Sequence, residues 1–143
     1  MTFRFSTSIP VRYADLDAQG HMNNATYFTF MEQARFDYFT ALGLWTPGSD
    51  FMALGTILAE TSCTFKKPVL LGQTVTVWLR VARLGHKSFT FDYRLTVGEA
   101  EVATGRSVQV AYDYAAQRSV ALPEAWRERF TAFDGLDAAE AAE

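Results

Sequence analysis

The 143-residue sequence contains one cysteine, two histidines and four prolines. A single thiol, Cys63, can close no intramolecular disulfide and build no cysteine-based zinc site, and it suits a reducing compartment. With only His21 and His86 as imidazoles, a metal site would have to be mostly carboxylate, and none is expected. Long apolar runs are also missing. The stretch from Phe51 to Ala59 is far short of a membrane span, and Met1-Thr-Phe-Arg-Phe-Ser has no signal-peptide core. A soluble, cytoplasmic protein with no membrane partner is expected. Basic charge is scarce too: 13 Lys and Arg face 16 Asp and Glu, a formal net charge of −3. That balance excludes a global field for a nucleic-acid backbone, so any anion must be held by a local cluster.

What is present is apolar and aromatic. The chain is 49% hydrophobic and 20% charged, the balance of a folded globule. Its length allows one domain with one core, since a chain of this size buries roughly 70% of its unfolded surface. That domain is expected over residues 1–133, followed by an acidic, flexible tail over 134–143. Twelve Phe, six Tyr and three Trp are many aromatics for this length, to be divided among core, interface and pocket.

Ile9, Val11 and Tyr13 alternate with polar or small residues as a short, half-buried strand. From Ala25 to Leu42, Tyr27, Phe30, Met31, Ala34, Tyr38 and Leu42 recur at helical spacing, and Phe28, Phe36 and Phe39 widen the stripe. The helix is therefore nearly enclosed. Gly43 stops it, and a loop follows over Trp45 to Asp50. Strand alternation then runs over Ile57 to Phe65, Val75 to Val81, Ser88 to Val97 and Val102 to Tyr112. Gly98-Glu99 supplies a two-residue hairpin turn. In the last strand Arg106 falls on the apolar phase, as a bulge or a paired buried charge would. Leu122 to Phe133 reads as a short amphipathic helix with Pro123 in its first turn. Antiparallel strands wrapped around one helix satisfy both patterns, which defines an α+β fold.

The segment Asp15-Leu-Asp-Ala-Gln-Gly-His-Met-Asn-Asn24 has no period and joins polar groups to a helix N-terminus, where unsatisfied N–H groups attract negative charge. Asp17 precedes His21 by four residues and Asn23 by six. A carboxylate acting as base or nucleophile, beside donors for a developing oxyanion, is the minimum for acyl transfer to water. The same residues also suit a purely local role, with Asp15 and Asp17 as turn formers and Asn23 or Asn24 as the cap. A second cluster, Arg83-Leu-Gly-His-Lys-Ser88, gathers basic groups around Gly85 and could hold a phosphate or be an ordinary solvated turn. Lys66 and Lys67 form a weaker basic pair. Glu32 and Arg35, one helical turn apart, suit a simple ion pair. Cys63 reads as a small core hydrophobe.

Arg12-Tyr-Ala-Asp-Leu-Asp17-Ala-Gln-Gly-His-Met-Asn-Asn24, with Tyr27 and the helix Phe30-Met-Glu-Gln-Ala-Arg35, resembles the hotdog-fold acyl-CoA thioesterases of the 4-hydroxybenzoyl-CoA thioesterase type. The resemblance runs from about Ile9 to Tyr114, and Asp-x-Asp-x-x-Gly-His-x-Asn-Asn is its most specific part. It implies a hotdog fold, a curved antiparallel sheet around the central helix, dimerising through sheet edges with Ile57 to Phe65 as the pairing strand. A tetramer is a further assembly of the same kind.

For the site, the resemblance implies Asp17 as the catalytic carboxylate, Asn24 and its neighbours as the oxyanion site, and Asp15 as a support paired with Arg12. His21 and Asn23 join the catalytic candidates because related acyl carrier protein thioesterases use a His and an Asn from such a run. Gly85, His86, Lys87 and Ser88 become binding candidates for the nucleotide and pantetheine arm of coenzyme A. Tyr27 is the aromatic expected at the acyl pocket, and Glu32 is the reserve carboxylate. The implied reaction is hydrolysis of an acyl-CoA thioester, with no cofactor beyond the coenzyme A of the substrate. The alternatives are a hotdog hydratase or dehydratase, which would use a His with an acid near the central helix, and a non-catalytic acyl-CoA-binding protein.

Overall fold

The computed structural model describes residues 2–46, 48, 50 and 55–136. Five strands, β1 (Phe5–Pro10), β2 (Thr56–Phe65), β3 (Thr74–Leu84), β4 (Ser88–Val97) and β5 (Ala100–Asp113), form an antiparallel sheet in the order β1-β3-β4-β5-β2. A two-residue strand, β6 (Arg118–Ser119), pairs with the end of β5. Two helices complete the described chain, α1 (Asn24–Ala41) and α2 (Glu124–Asp134).

Period-two alternation puts Val75, Val77, Leu79 and Val81 of β3 and Phe89, Phe91 and Leu95 of β4 on the inner face, each with no exposed surface. Burying each contributes about 1.5–3 kcal/mol. Against them α1 lays Phe30, Met31, Ala34, Tyr38 and Phe39. The sheet bends around this helix with the help of bulges, at Ala59 on β2, Ala82 on β3 and Val102 on β5, where the pairing register shifts. Helix and sheet approach closely at Gly105. A Cβ there would run into the end of the Met31 side chain and come within 2.9 Å of the Ser62 carbonyl oxygen.

Several sequence expectations shift. The first strand is Phe5–Pro10, and Tyr13 lies beyond it in a single turn of 3-10 helix with 83% of its surface exposed. The Asp15 carboxylate accepts from the Arg12 backbone N–H and turns the chain out of the sheet. Pro123 is the N-cap of α2, one residue before the expected position. Arg106 is neither bulged nor buried: its side chain is 63% exposed and its Nε lies 3.2 Å from Asp92 Oδ1 on the facing strand. The bulge at Val102 moves the phase of β5 by one residue, so Ala103, Ser107, Gln109 and Ala111 face inward instead. Glu32 and Arg35 form no ion pair, because Arg35 is buried with the core side of α1 while Glu32 is exposed. β1 and β2 are the sheet's edges, and Ile57, Leu58 and Phe65 stay exposed on β2.

The expected flexible tail begins too early. Asp134 is the last residue of α2 and is buried; Gly135 caps the helix in the left-handed conformation, and Leu136 packs on the core. Residues 137–143, and parts of the loop from Trp45 and of the apolar run from Phe51, lie outside the described residues. Asp134 Oδ2 accepts from the Tyr38 hydroxyl at 2.5 Å and from the Val81 N–H at 2.9 Å. Burial pushes its carboxyl above the ordinary value, against the opposing pull of these two donors and of Arg80 and Arg4. With the folded value above the unfolded one, the native state holds the proton more tightly, and the resulting stabilisation disappears as pH rises through the folded value. Asp134→Asn removes this slope. Between about pH 4 and neutrality the urea midpoint of Asp134→Asn is expected to rise relative to that of the parent protein. Parallel pH profiles would exclude the titration.

Candidate functional site

The loop before α1 is organised by two aspartates with different tasks. Asp15 is buried and takes three contacts from Arg12: the backbone N–H at 2.8 Å and Nε at 3.2 Å, both to Oδ2, and Nη2 to Oδ1 at 2.8 Å. The Arg12 guanidinium holds its carboxyl below the usual range. Its carbonyl oxygen accepts from the Asn23 N–H at 2.8 Å, so Asp15 anchors the start of the loop to the start of the helix. Asp15 is thus the structural member of the pair.

Asp17 is half-buried in a closed turn. Its N–H donates to the His21 carbonyl at 2.8 Å, and its Oδ1 accepts from the Gln19 and His21 N–H groups at 2.9 and 3.2 Å. Gly20, at φ +79°, takes the left-handed conformation that this turn requires. Asp17 Oδ2 has no hydrogen-bond partner among the described residues. The loop is pinned to the rest of the fold by Met22 N–H donating to the Val69 carbonyl at 2.7 Å and by pairing of His21 with Leu70. Asn23 is the helix cap: its Oδ1 accepts from the Ala25 N–H at 2.9 Å. Asn24 is the first helical residue, and its N–H has no acceptor among the described residues.

Tyr27 lies on the inner side of α1. It is buried in the core, with its ring edge-on to Phe65 and its hydroxyl 3.5 Å from the Lys67 carbonyl. The basic pair beside it is partly spent, since Lys66 lies 2.5 Å from Glu101, which also binds Arg94. Cys63 is half-buried, and burial pushes its thiol up to about 11. It is no nucleophile at neutral pH.

The turn Gly85-His86-Lys87 joins β3 to β4 and exposes the His86 and Lys87 side chains. Its backbone is held firmly. The Gly85 N–H donates to the Ser88 carbonyl, Arg127 of α2 donates to the carbonyls of Gly85 and His86, and the Lys87 carbonyl accepts from Ala111. This turn lies beyond the C-terminal end of α1, where Phe39 packs edge-on to Phe89. The Asp17 loop is at the other end of a helix about 27 Å long. Within one chain the two clusters do not meet.

Between the β1 and β2 edges of the curved sheet, a cavity of about 710 Å³ runs along α1. Arg12 stands at it beside Ile9 and Pro10; Glu32, Phe30 and Phe36 come from the helix, Thr56 and Leu58 from the β2 edge, and Gln109 from β5 next to it. Of the expected catalytic residues only the reserve, Glu32, lines it; Asp17, His21, Asn23 and Asn24 do not, nor does Tyr27, the expected acyl-pocket aromatic. The polar groups on its inner side, Arg35 and Gln109, escaped the sequence reading. Arg35 falls four residues after Met31 and four before Phe39, on the buried stripe itself, and that spacing could have found it. Gln109 was hidden by the bulge at Val102.

A curved antiparallel sheet closed over one buried helix, with a polar loop leading into that helix, is the hotdog architecture. The chain belongs to the thioesterase-like superfamily, whose family model matches residues 11–130. A thioesterase of Thermus thermophilus, solved in complex with coenzyme A and zinc, superposes with a TM-score of 0.82 at 32% identity, covering 94% of this chain and 97% of that one. The long-chain acyl-CoA thioesterase FadM of Escherichia coli is 28% identical over 129 residues, 86% of this chain and 94% of its own length. The match to the uncharacterised protein YsmA of Bacillus subtilis, 28% identical over 92 residues, takes in 64% of this chain. The chain spans only 60% of YsmA and 65% of a further curated relative from Aquifex aeolicus. No described helix is long and apolar enough to cross a membrane.

Proposed function

We propose that this protein hydrolyses acyl-CoA thioesters to the free acid and coenzyme A. The observation that carries the reading is the junction of loop and helix, where one Asp17 carboxylate oxygen and the Asn24 N–H have no partner among the described residues. Asp17 takes the proton from a water that attacks the carbonyl carbon, or attacks that carbon itself to form an acyl anhydride that water then hydrolyses; in either case the C–S bond breaks, and the thiolate leaves and takes up the proton that the water gives up, as coenzyme A. The Asn24 N–H, at the positive end of α1, stabilises the oxyanion. His21 flanks the site, and Asn23 fixes the helix start. No cofactor beyond the coenzyme A of the substrate takes part, and the cytoplasm, which keeps Cys63 reduced, is its compartment.

The functional unit in this reading is a homodimer. The Asp17 loop and the Gly85 turn sit at opposite ends of α1, so one ligand can touch both only if two protomers contribute. Antiparallel pairing of the exposed β2 edges sets two α1 helices side by side in opposite directions, with the loop of one beside the turn of the other. Gly85, His86, Lys87 and Ser88 would then receive the nucleotide and pantetheine arm; that coenzyme A is the ligand class is supported by the Thermus thermophilus relative, solved in complex with it. Two such pairs can associate into a tetramer.

Thiol release from a panel of short-chain, long-chain and aromatic acyl-CoA thioesters tests the reading. Release from at least one class is expected. Coenzyme A binding with no release would assign the chain to the non-catalytic binders, and hydration of an enoyl-CoA without release would assign it to the hydratases.

A further inference from the structure

The inner side of the cavity contains a cation without an anion. Arg35 is 7% exposed, and Nη1 donates to the Tyr93 hydroxyl at 3.1 Å. Tyr93 in turn shares a 2.6 Å hydrogen bond with Ser107 Oγ, which fixes the phenol and, through it, the guanidinium. Nε and Nη2 of Arg35 have no partner among the described residues, are not among the fully enclosed polar atoms, and belong to a side chain that lines the cavity. No carboxylate of the described residues lies within ion-pair distance; Glu32, one helical turn away, lines the same cavity but is exposed. Beside Arg35, Gln109 is 5% exposed, with Oε1 enclosed and unpartnered and Nε2 open.

A buried guanidinium is ordinarily paired with a carboxylate or saturated by several acceptors, because removing it from water is otherwise costly. Here it has one neutral acceptor, and its remaining donors face a space walled by Phe30, Phe36 and Leu58. A long-chain hydrocarbon tail would fill that space and cover the cation without compensating it. An acyl group with an acceptor at its far end would use the apolar walls for its chain and the guanidinium for its tip. We infer that the cavity selects acyl groups ending in a distal carboxylate, with Arg35 as the counter-charge and the Gln109 amide as a second donor. This rests on the thioesterase reading and names its substrate class: the coenzyme A monothioesters of dicarboxylic acids.

The test compares matched pairs, adipoyl- with hexanoyl-CoA, suberoyl- with octanoyl-CoA and sebacoyl- with decanoyl-CoA. At the best-fitting length the carboxylated member is expected to have the larger kcat/KM, by about tenfold or more. Arg35→Met and Gln109→Met are each expected to reduce that ratio, Arg35→Met the more. The ratio is internally controlled, because a partly unfolded sample slows both members alike, and either variant suffices where the other does not fold. A ratio at or below one in the parent protein, or a ratio unchanged in both variants, overturns the inference. Failure to hydrolyse any thioester overturns the hydrolase reading instead; the dissociation constants of the intact pairs, measured by calorimetry, then give the same ratio and decide the inference separately.

Discussion

Asp17→Asn is expected to reduce kcat for acyl-CoA hydrolysis by about 10³-fold while leaving coenzyme A binding intact, the loss typical of removing a positioned base or its electrostatic equivalent. The substitution is unusually clean at this position. Asp17 Oδ1 is occupied by the Gln19 and His21 N–H groups, and an asparagine keeps that oxygen in place, so the turn closed by Asp17 N–H and the His21 carbonyl survives. What changes is the charge and the second oxygen, which has no partner among the described residues. A merely structural Asp17 would therefore tolerate the change, and unchanged turnover removes it from the chemistry. Glu32→Gln is the control, since Glu32 lines the cavity and forms no ion pair among the described residues. Loss of activity in Glu32→Gln with Asp17→Asn active would move the carboxylate onto the helix. Thiol release and equilibrium binding of coenzyme A, measured on both variants, separate these outcomes.

The sequence made the loop legible because its chemistry is local: turn formers, a cap and an acid occur within ten residues, and their hydrogen bonds are mostly to one another. The long helix and the four later strands were legible for a related reason, since a period of 3.6 or 2 is written along each element without reference to any other. What failed depended on relations between elements. The inward phase of β5 is set by an extra residue at Val102 opposite β4, and no alternation within β5 alone reveals it. Assigning Arg35 to a surface pair with Glu32 followed from side-chain type; its burial follows from where α1 crosses Tyr93 and Ser107. Asp134 looked like the start of an acidic tail, yet it is held by Tyr38, 96 residues away in sequence. The cavity itself exists only because the two edges of the sheet approach the same helix.

That Tyr38–Asp134 contact sits at the point where most elements converge, and Tyr38→Ala is expected to be the most destabilising single truncation. The Tyr38 ring has no exposed surface and meets Phe5 of β1, Phe91 of β4, Phe39 of α1, and Phe130 and Phe133 of α2, with centroid separations of 5.3 to 6.3 Å. Removing a ring of this size from a closed core costs about 3–5 kcal/mol. Loss of the hydroxyl adds a second effect, because Asp134 then keeps the Val81 N–H as its one remaining donor while Oδ1 is already unpartnered. Tyr38→Phe isolates this part, expected at about 1–3 kcal/mol. The consequence reaches the site through α2: the helix that Asp134 ends also carries Arg127, which holds the carbonyls of Gly85 and His86. Tyr38→Phe should therefore weaken coenzyme A binding at the turn more than it alters kcat, whereas Asp17→Asn does the reverse. Urea unfolding of both Tyr38 variants, with calorimetric titration of coenzyme A into Tyr38→Phe, checks the chain of effects. A loss below about 1 kcal/mol in Tyr38→Ala would contradict the closed packing around this ring.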